Sequence, residues 1–360
     1  MNYLNHGNGN DNGQPMSSYQ SRVASICPKF QHLSHLSNFL DGSTSYPLGR
    51  IECLEFPNNN STESATSRRL TLSELASLIN PCQESPILNR ILIVEDLTKE
   101  VIEILGSSLN IDPAFFAHHL YSSRIDDSTG YTGPIRVLPS AKSQGDFIVV
   151  PYVVTVILGD SDHPPPERLR CRSNVRRKLD MLSSELFSGF FVAMVARRFS
   201  VLRVPQSCGA WLGIVLVDPP IGNKFVNDNV DRGYNAPPYL SQVRPFGNGS
   251  YNFNSSSRHA IKNGQPSRGR ARDSMLEDII YCWTNRLPPT FDTANGDLLS
   301  LAYYPFKIAT GEFMLYVNCM RFSIENYVYH VGSDFESNLK ALESALIYLD
   351  YWRRRTRSRV

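Results

Sequence analysis

Two pairs of histidines stand close enough along the chain to share a metal ion, His32 with His35 and His118 with His119. Imidazole suits zinc, copper or nickel, but a firm site gathers three or four ligands from His, Cys, Asp or Glu. Neither pair has such a set at ligand spacing, and the plainer reading of the second pair is a half-buried helix face. Asp160, Asp162 and His163 lie in a Gly-Asp-Ser-Asp-His loop ahead of three prolines. Oxygen ligands on a loop suit a hard cation; a solvated turn is the competing reading. Two basic clusters, Arg168 to Lys178 and Arg268 to Arg272, carry charge that a phosphate backbone could use. No aromatic side chain is interleaved in either, so both read first as solvated basic faces, and nucleic acid is not the expected partner.

Enzyme signatures are missing. The chain has no G-x-S-x-G turn, no G-x-x-x-x-G-K-[ST] loop and no H-E-x-x-H helix. Gly7-Asn8-Gly9 falls in a polar tail rather than between a strand and a helix, so it is not a dinucleotide fingerprint. Without a nucleophile–base set, the sequence predicts no enzyme. Seven cysteines, widely spaced and lacking any C-x-x-C, fit reduced thiols of a cytoplasmic compartment better than a disulfide framework. The formal charge is +2, and five arginines in the last eight residues (Arg353, Arg354, Arg355, Arg357 and Arg359) turn it to −3 when set aside. Any basic surface is therefore local.

These residues need elements to hold them. At 41% hydrophobic and 19% charged, the 360-residue chain has an ordinary globular balance. Residues 1–48 read as a mostly disordered tail rich in Asn, Gly, Ser and Gln. Strands are expected at 49–56, at Ile91 to Val94, in 134–158 and in 189–218, where a turn at Pro205 to Gly209 separates two runs. The run Phe147 to Leu158 reads as one strand, or two broken at Pro151. It is too short for a bilayer, since a spanning helix takes about 20 apolar residues.

Helices are predicted after the capping box Thr71-Leu72-Ser73-Glu74, after a cap at Asp96 or Thr98, and from Pro113 with Phe115, Phe116 and Leu120 inward. Glu167 to Leu186 reads as a basic helix, and 222–272 as a flexible insertion. Ser274 caps a helix striped by Leu276, Ile279, Ile280 and Trp283. A long helix is expected from Pro305 to about Val331, broken by Gly332. A last one follows the cap Ser333-Asp334-Phe335-Glu336, with Phe335, Leu339, Leu342, Leu346 and Leu349 at heptad spacing.

Two stretches carry a family likeness. Ile91 to Thr98, Val101 to Gly106 and Ile111 to Phe116 resemble the strand, helix and hydrophobic-x-Pro segment of the CorA soluble domain in its fungal form. Leu299, Tyr304 to Ile308, Glu312 to Met314 and Ser323 to Tyr329 resemble the start of its stalk, and Tyr351 to Arg355 its continuation. The likeness spans about 49–355, with 222–272 unmatched.

The resemblance implies a mixed α/β sheet flanked by helices, then long C-terminal helices, and a role in divalent-cation transport, with Mg²⁺ as the ion. Family members assemble as pentamers and carry two membrane helices and a Gly-Met-Asn pore motif; this chain has no Gly-Met-Asn. It is thus expected to stop before the pore, to be cytoplasmic as written, and to act in regulation or assembly without conducting. If the gene product continues, it becomes membrane-associated. The best acidic candidates for the ion are Asp334, Glu343 and Asp350, which an exposed helix face explains equally well. The Arg-rich end reads as stalk or as a contact for anionic membrane, and the C-terminal helices as the route of self-association. The domain plan is tail 1–48, α/β domain 49–221, insertion 222–272 and helical region 273–360. Rival readings are a soluble interaction protein that keeps this fold without transport, and a nucleic-acid binder using the arginines.

Overall fold

In a computed structural model of the chain, the described residues are 18–42, 49–56, 65–79, 89–121, 147–160, 165, 169–171, 173–175, 177, 179–181, 190–206, 210–221, 224–227, 232–235, 274–289 and 291–331. The long strands are runs rich in Val, Ile and Leu. β1 (Ile51–Phe56) pairs antiparallel with β2 (Thr66–Arg69) and with β3 (Asn89–Glu95). β3 lies parallel to β8 (Trp211–Val217), with Ile91 opposite Gly213 and Glu95 opposite Val217. β8 pairs antiparallel with β7 (Phe190–Pro205), which pairs antiparallel with β4 (Phe147–Asp160). β6 (Leu179–Met181) adds to the first half of β7, completing a seven-stranded sheet.

Strand side chains alternate between faces, and here both faces are apolar. Cys53, Leu92, Val94, Ile214 and Leu216 meet the helices α1 (Tyr19–Ile26), α2 (Ser34–Asp41), α3 (Leu72–Ile79), α4 (Lys99–Leu109) and α5 (Pro113–Leu120). Phe56, Ile91, Ile93, Val215 and Val217 meet α6 (Met275–Asn285) and α7 (Leu298–Val331) on the other side. The result is three layers, helix–sheet–helix, the arrangement that buries a two-sided sheet.

Cap chemistry sets the helix ends. At the start of α3 the Thr71 amide donates to Glu74 at 2.7 Å and the Glu74 amide to the Thr71 hydroxyl at 3.3 Å. Thr98 rather than Asp96 caps α4, and Asn110 ends it in the left-handed region. Pro151 keeps β4 in one piece. It is exposed and pairs across to Arg198 on an outer strand, where a missing N–H costs little.

Four readings of the sequence change. Residues 19–41, taken as tail, form α1 and α2 and belong to the core through Tyr19, Val23, Leu36 and Leu40. α1 carries few apolar residues, α2 shows helical spacing only over Leu33, Leu36, Phe39 and Leu40, and helices this short gain stability only when docked. The Tyr19 and Gln20 amides donate to the Glu103 carboxylate of α4 at 2.6 and 3.1 Å. The Tyr19 ring fills the space over Gly106, where a Cβ would come within 2.6 Å of it.

Within 167–186 the described elements are strands, β5 (Leu169–Cys171) and β6, joined by a bend that hydrogen bonds from Asn174 and Val175 hold to Asp96. The 222–272 stretch contributes β9 (Lys224–Asn227) and β10 (Arg232–Asn235), which pair with each other, and β9 pairs with β5, making a small second sheet across the expected domain boundary. The long helix starts seven residues ahead of Pro305. Asp297 accepts from the Ser300 amide at 2.9 Å, and the proline is carried inside the helix. Proline there removes one intrahelical bond, which burial of Leu301, Ala302 and Tyr304 on the sheet offsets. The last predicted helix, after Gly332, lies outside the described residues.

Candidate functional site

β8 runs into Asp218, whose side chain has no exposure. The β7–β8 register sets Phe199 opposite Val217, so Asp218 falls beside Arg198, whose amide donates to it at 2.8 Å. Arg177, from the bend after β5, donates Nε and Nη2 to the two carboxylate oxygens, each at 2.9 Å. This forked pairing is the strongest geometry available to a guanidinium and a carboxylate. Arg197 Nε lies 3.7 Å away on one side and His119 Nε2 3.7 Å on the other. Arg177 also donates to the carbonyls of His119 and Tyr121, and Arg198 to that of His118. The carbonyls at the end of α5 are thereby satisfied by cations, which also match the negative end of the helix dipole.

Burial sets the charge states. It would raise the Asp218 carboxyl, but the Arg177 and Arg197 guanidiniums outweigh it and hold the group below its usual range. Burial pushes His119 down to about 3, with Asp218 opposing and Arg177, Arg198 and Arg197 adding to the effect, so the imidazole is neutral at neutral pH. His119 Nδ1 is 2.9 Å from the Ser200 hydroxyl. Ser200, His119 and Asp218 are the residue types of an acyl-transfer triad. All three are fully buried, however, and the carboxylate is engaged by guanidinium, so the trio offers no surface to a substrate. The chemistry here is structural: removing one partner of a buried pair costs about 3–5 kcal/mol.

A second node stands at the end of β3. Arg50 donates to Glu95 at 3.1 Å, to Glu277 at 2.7 Å and to the Ser274 hydroxyl at 2.9 Å. Ser274 in turn caps α6 by accepting from the Glu277 amide at 3.3 Å. Glu95 is buried, which raises its carboxyl, while Ser274 and Arg50 pull the other way. Next to it Asp96 sits in the left-handed region at φ 58 and accepts from the Asn174 amide and side chain and the Val175 amide, at 3.0–3.1 Å. The carboxyl ends of neighbouring parallel strands are where open α/β sheets bind ligands. Here the protein fills that place itself. The backbone at Gly49 packs so close to the Glu95 carbonyl that a Cβ would lie 1.8 Å from it.

The candidate residues of the sequence are partly brought together. Packing of the segment before α2 on α5 stacks His32 on His118, with ring centroids 6.3 Å apart, while His35 meets the Tyr121 ring edge at 5.3 Å. His118 and His119 part company, the first half-buried and the second in the interior. Among the described residues no group of three or more His, Cys, Asp or Glu could hold a metal ion. Asp160 ends β4, and Asp162 and His163 lie outside the described residues. So do Arg268 to Arg272, the acidic candidates Asp334, Glu343 and Asp350, and the arginines Arg353, Arg354, Arg355, Arg357 and Arg359. Arg177, read as part of a solvated basic face, is buried in the ion pair instead. Cys53 and Cys171 are buried thiols, pushed up by burial to about 12 and about 11 and so unreactive. The interior network was not anticipated. Its signal was present in charges set inside apolar strands, Ala196-Arg197-Arg198-Phe199 and Val217-Asp218, because buried charge demands a partner.

No helix among the described residues is long and apolar enough to cross a membrane. No protein-family model, curated protein or solved structure matches the chain.

Proposed function

We propose that this chain is a CorA-like soluble module of divalent-cation transport, acting in assembly or regulation and responding to Mg²⁺. The observation that supports it is architectural. A seven-stranded mixed sheet with helices on both faces leads through α6 into a 34-residue helix whose outer side keeps large apolar residues exposed. A stalk needs such a helix: rigid, anchored at one end on a folded body, and apolar where a neighbour meets it. In this reading copies associate through their C-terminal helices. Mg²⁺ is held, largely hydrated, by Asp334, Glu343 and Asp350. Arg353, Arg354, Arg355, Arg357 and Arg359 rest on anionic lipid, each contributing about 1 kcal/mol near the surface.

Sedimentation velocity at constant ionic strength, with and without millimolar Mg²⁺, tests the proposal. The expected result is an oligomer whose distribution shifts with Mg²⁺, and a shift that fades when Asp334→Asn, Glu343→Gln and Asp350→Asn are combined. A distribution indifferent to Mg²⁺ overturns it.

A further inference from the structure

The outer side of α7 is not randomly apolar. Phe313, Val317 and Ile324 are 47%, 40% and 52% exposed, and with Met320, partly buried against the sheet, they stand at +4, +3 and +4. Tyr327 and Val331 continue the series in sequence. That is a heptad seam, the pattern by which one helix receives another along its length. An apolar seam on an otherwise packed helix is costly to leave in water, at about 25 cal/mol for each Å².

The chain beyond α7 carries a second seam, Phe335, Leu339, Leu342, Leu346 and Leu349, also at +4, +3, +4 and +3. Its relation to the first is specific. About Ser333, Val331 mirrors Phe335, Tyr327 mirrors Leu339, Ile324 mirrors Leu342, Met320 mirrors Leu346 and Val317 mirrors Leu349. Each seam alone permits any phase; this one brings the five residues from Val317 to Val331 opposite the five from Leu349 to Phe335, and sets Phe313 at the open end beside Arg353. Gly332 and Ser333 are the punctuation such a reversal needs. Glycine favours a helix end, Ser333 and Glu336 have the sequence spacing of a capping box, and helical hairpins close with loops of about 2–5 residues. The flank agrees in charge. Arg321 stands beside the α7 seam and Glu343 in the equivalent place beside the other, on the same side once the direction is reversed.

We propose that residues 335–352 fold back on α7 as an antiparallel helix and cover the stripe Phe313–Val317–Met320–Ile324. This goes beyond the transport reading and does not rest on it. In this arrangement the stripe is taken by the chain's own segment, and the exposed apolar residues of α7 left for a neighbouring copy include Leu299, Tyr303 and Met314.

Disulfide trapping in the full chain decides. In a Cys319→Ser background, Val317→Cys with Leu349→Cys, and Ile324→Cys with Leu342→Cys, are oxidised mildly at low protein concentration. The products are read by non-reducing electrophoresis and by mass spectrometry of tryptic peptides. Both pairs are expected to close within one chain, at least ten times faster than the out-of-register pair Val317→Cys with Leu342→Cys. Disulfides between chains place a second copy on the stripe and overturn the proposal, while leaving self-association standing. Equal closure of all three pairs, or closure of none, also overturns it.

Discussion

An unburied histidine takes up a proton near pH 6.5, whereas His119 holds out until about 3. The consequence for stability has a definite sign. Below pH 6.5 the unfolded chain binds a proton at this position that the folded chain refuses. Stability is therefore full above 6.5 and is lost as pH falls toward 3, by up to about 1.4 kcal/mol per pH unit. His119→Asn removes the refusal. Its unfolding free energy, measured in urea at several pH values, is expected to fall less steeply between pH 6.5 and 4 by close to one proton. Parallel slopes for the two proteins would show that the imidazole is not held neutral. Nothing in the local sequence around His119 announces this. Arg177, Asp218 and Ser200 are distant along the chain, and the network exists only once α5, β7, β8 and the bend after β5 have met.

At the scale of elements, what the sequence revealed follows how much each segment depends on its neighbours. β3 and β8 are continuous β-branched runs, and α4, α5 and α6 carry their own caps at Thr98, Asp112 and Ser274, so local chemistry nearly suffices to place them. α1 has a cap of its own at Ser18 but leans more on its neighbours. Its first two amides donate to Glu103 of another helix, its Tyr19 hydroxyl donates to the Ile111 carbonyl at 2.9 Å, and its ring needs Gly106 beneath it. Glycine inside α4 costs about 0.5–1 kcal/mol relative to alanine, and the docking of α1 is what makes that tolerable. Gly106→Val should therefore release α1 and spare the sheet. Hydrogen exchange is expected to speed at least tenfold for the amides of 21–26 and to stay unchanged in β3 and β8. Continued protection of 21–26 would show that the contact is incidental. The early start of α7 escaped notice for a related reason: Pro305 looks like a beginning until the sheet is there to hold the turn ahead of it.

At the scale of the whole molecule, Arg50 reaches the end of β3 and the start of α6, which lie 45 and 227 residues further along the chain from it. Without it Glu95 would stay buried and lose its hydrogen-bonded cation, keeping only the more distant charge of Arg197. In Arg50→Ala the Glu95 carboxyl rises further above its ordinary 4.5, so its protonated form is favoured in the fold. Stability is then retained below the unfolded value and lost as pH rises through the folded one. Thermal unfolding is expected to show a larger loss at pH 8 than at pH 5; an equal loss at both would mean that the clamp acts through packing alone. The borders of the sheet carry a different message. β2 is four residues long, exposed at every position and bears Arg68 and Arg69, while β4 has Pro151 and an irregularity between Ile157 and Gly159. Short charged strands, prolines and bulges are how sheets discourage foreign strands from adding to them. A crowded population of these chains is thereby guarded against growing into stacked, fibre-like ribbons, and contact between copies is left to surfaces that can let go again.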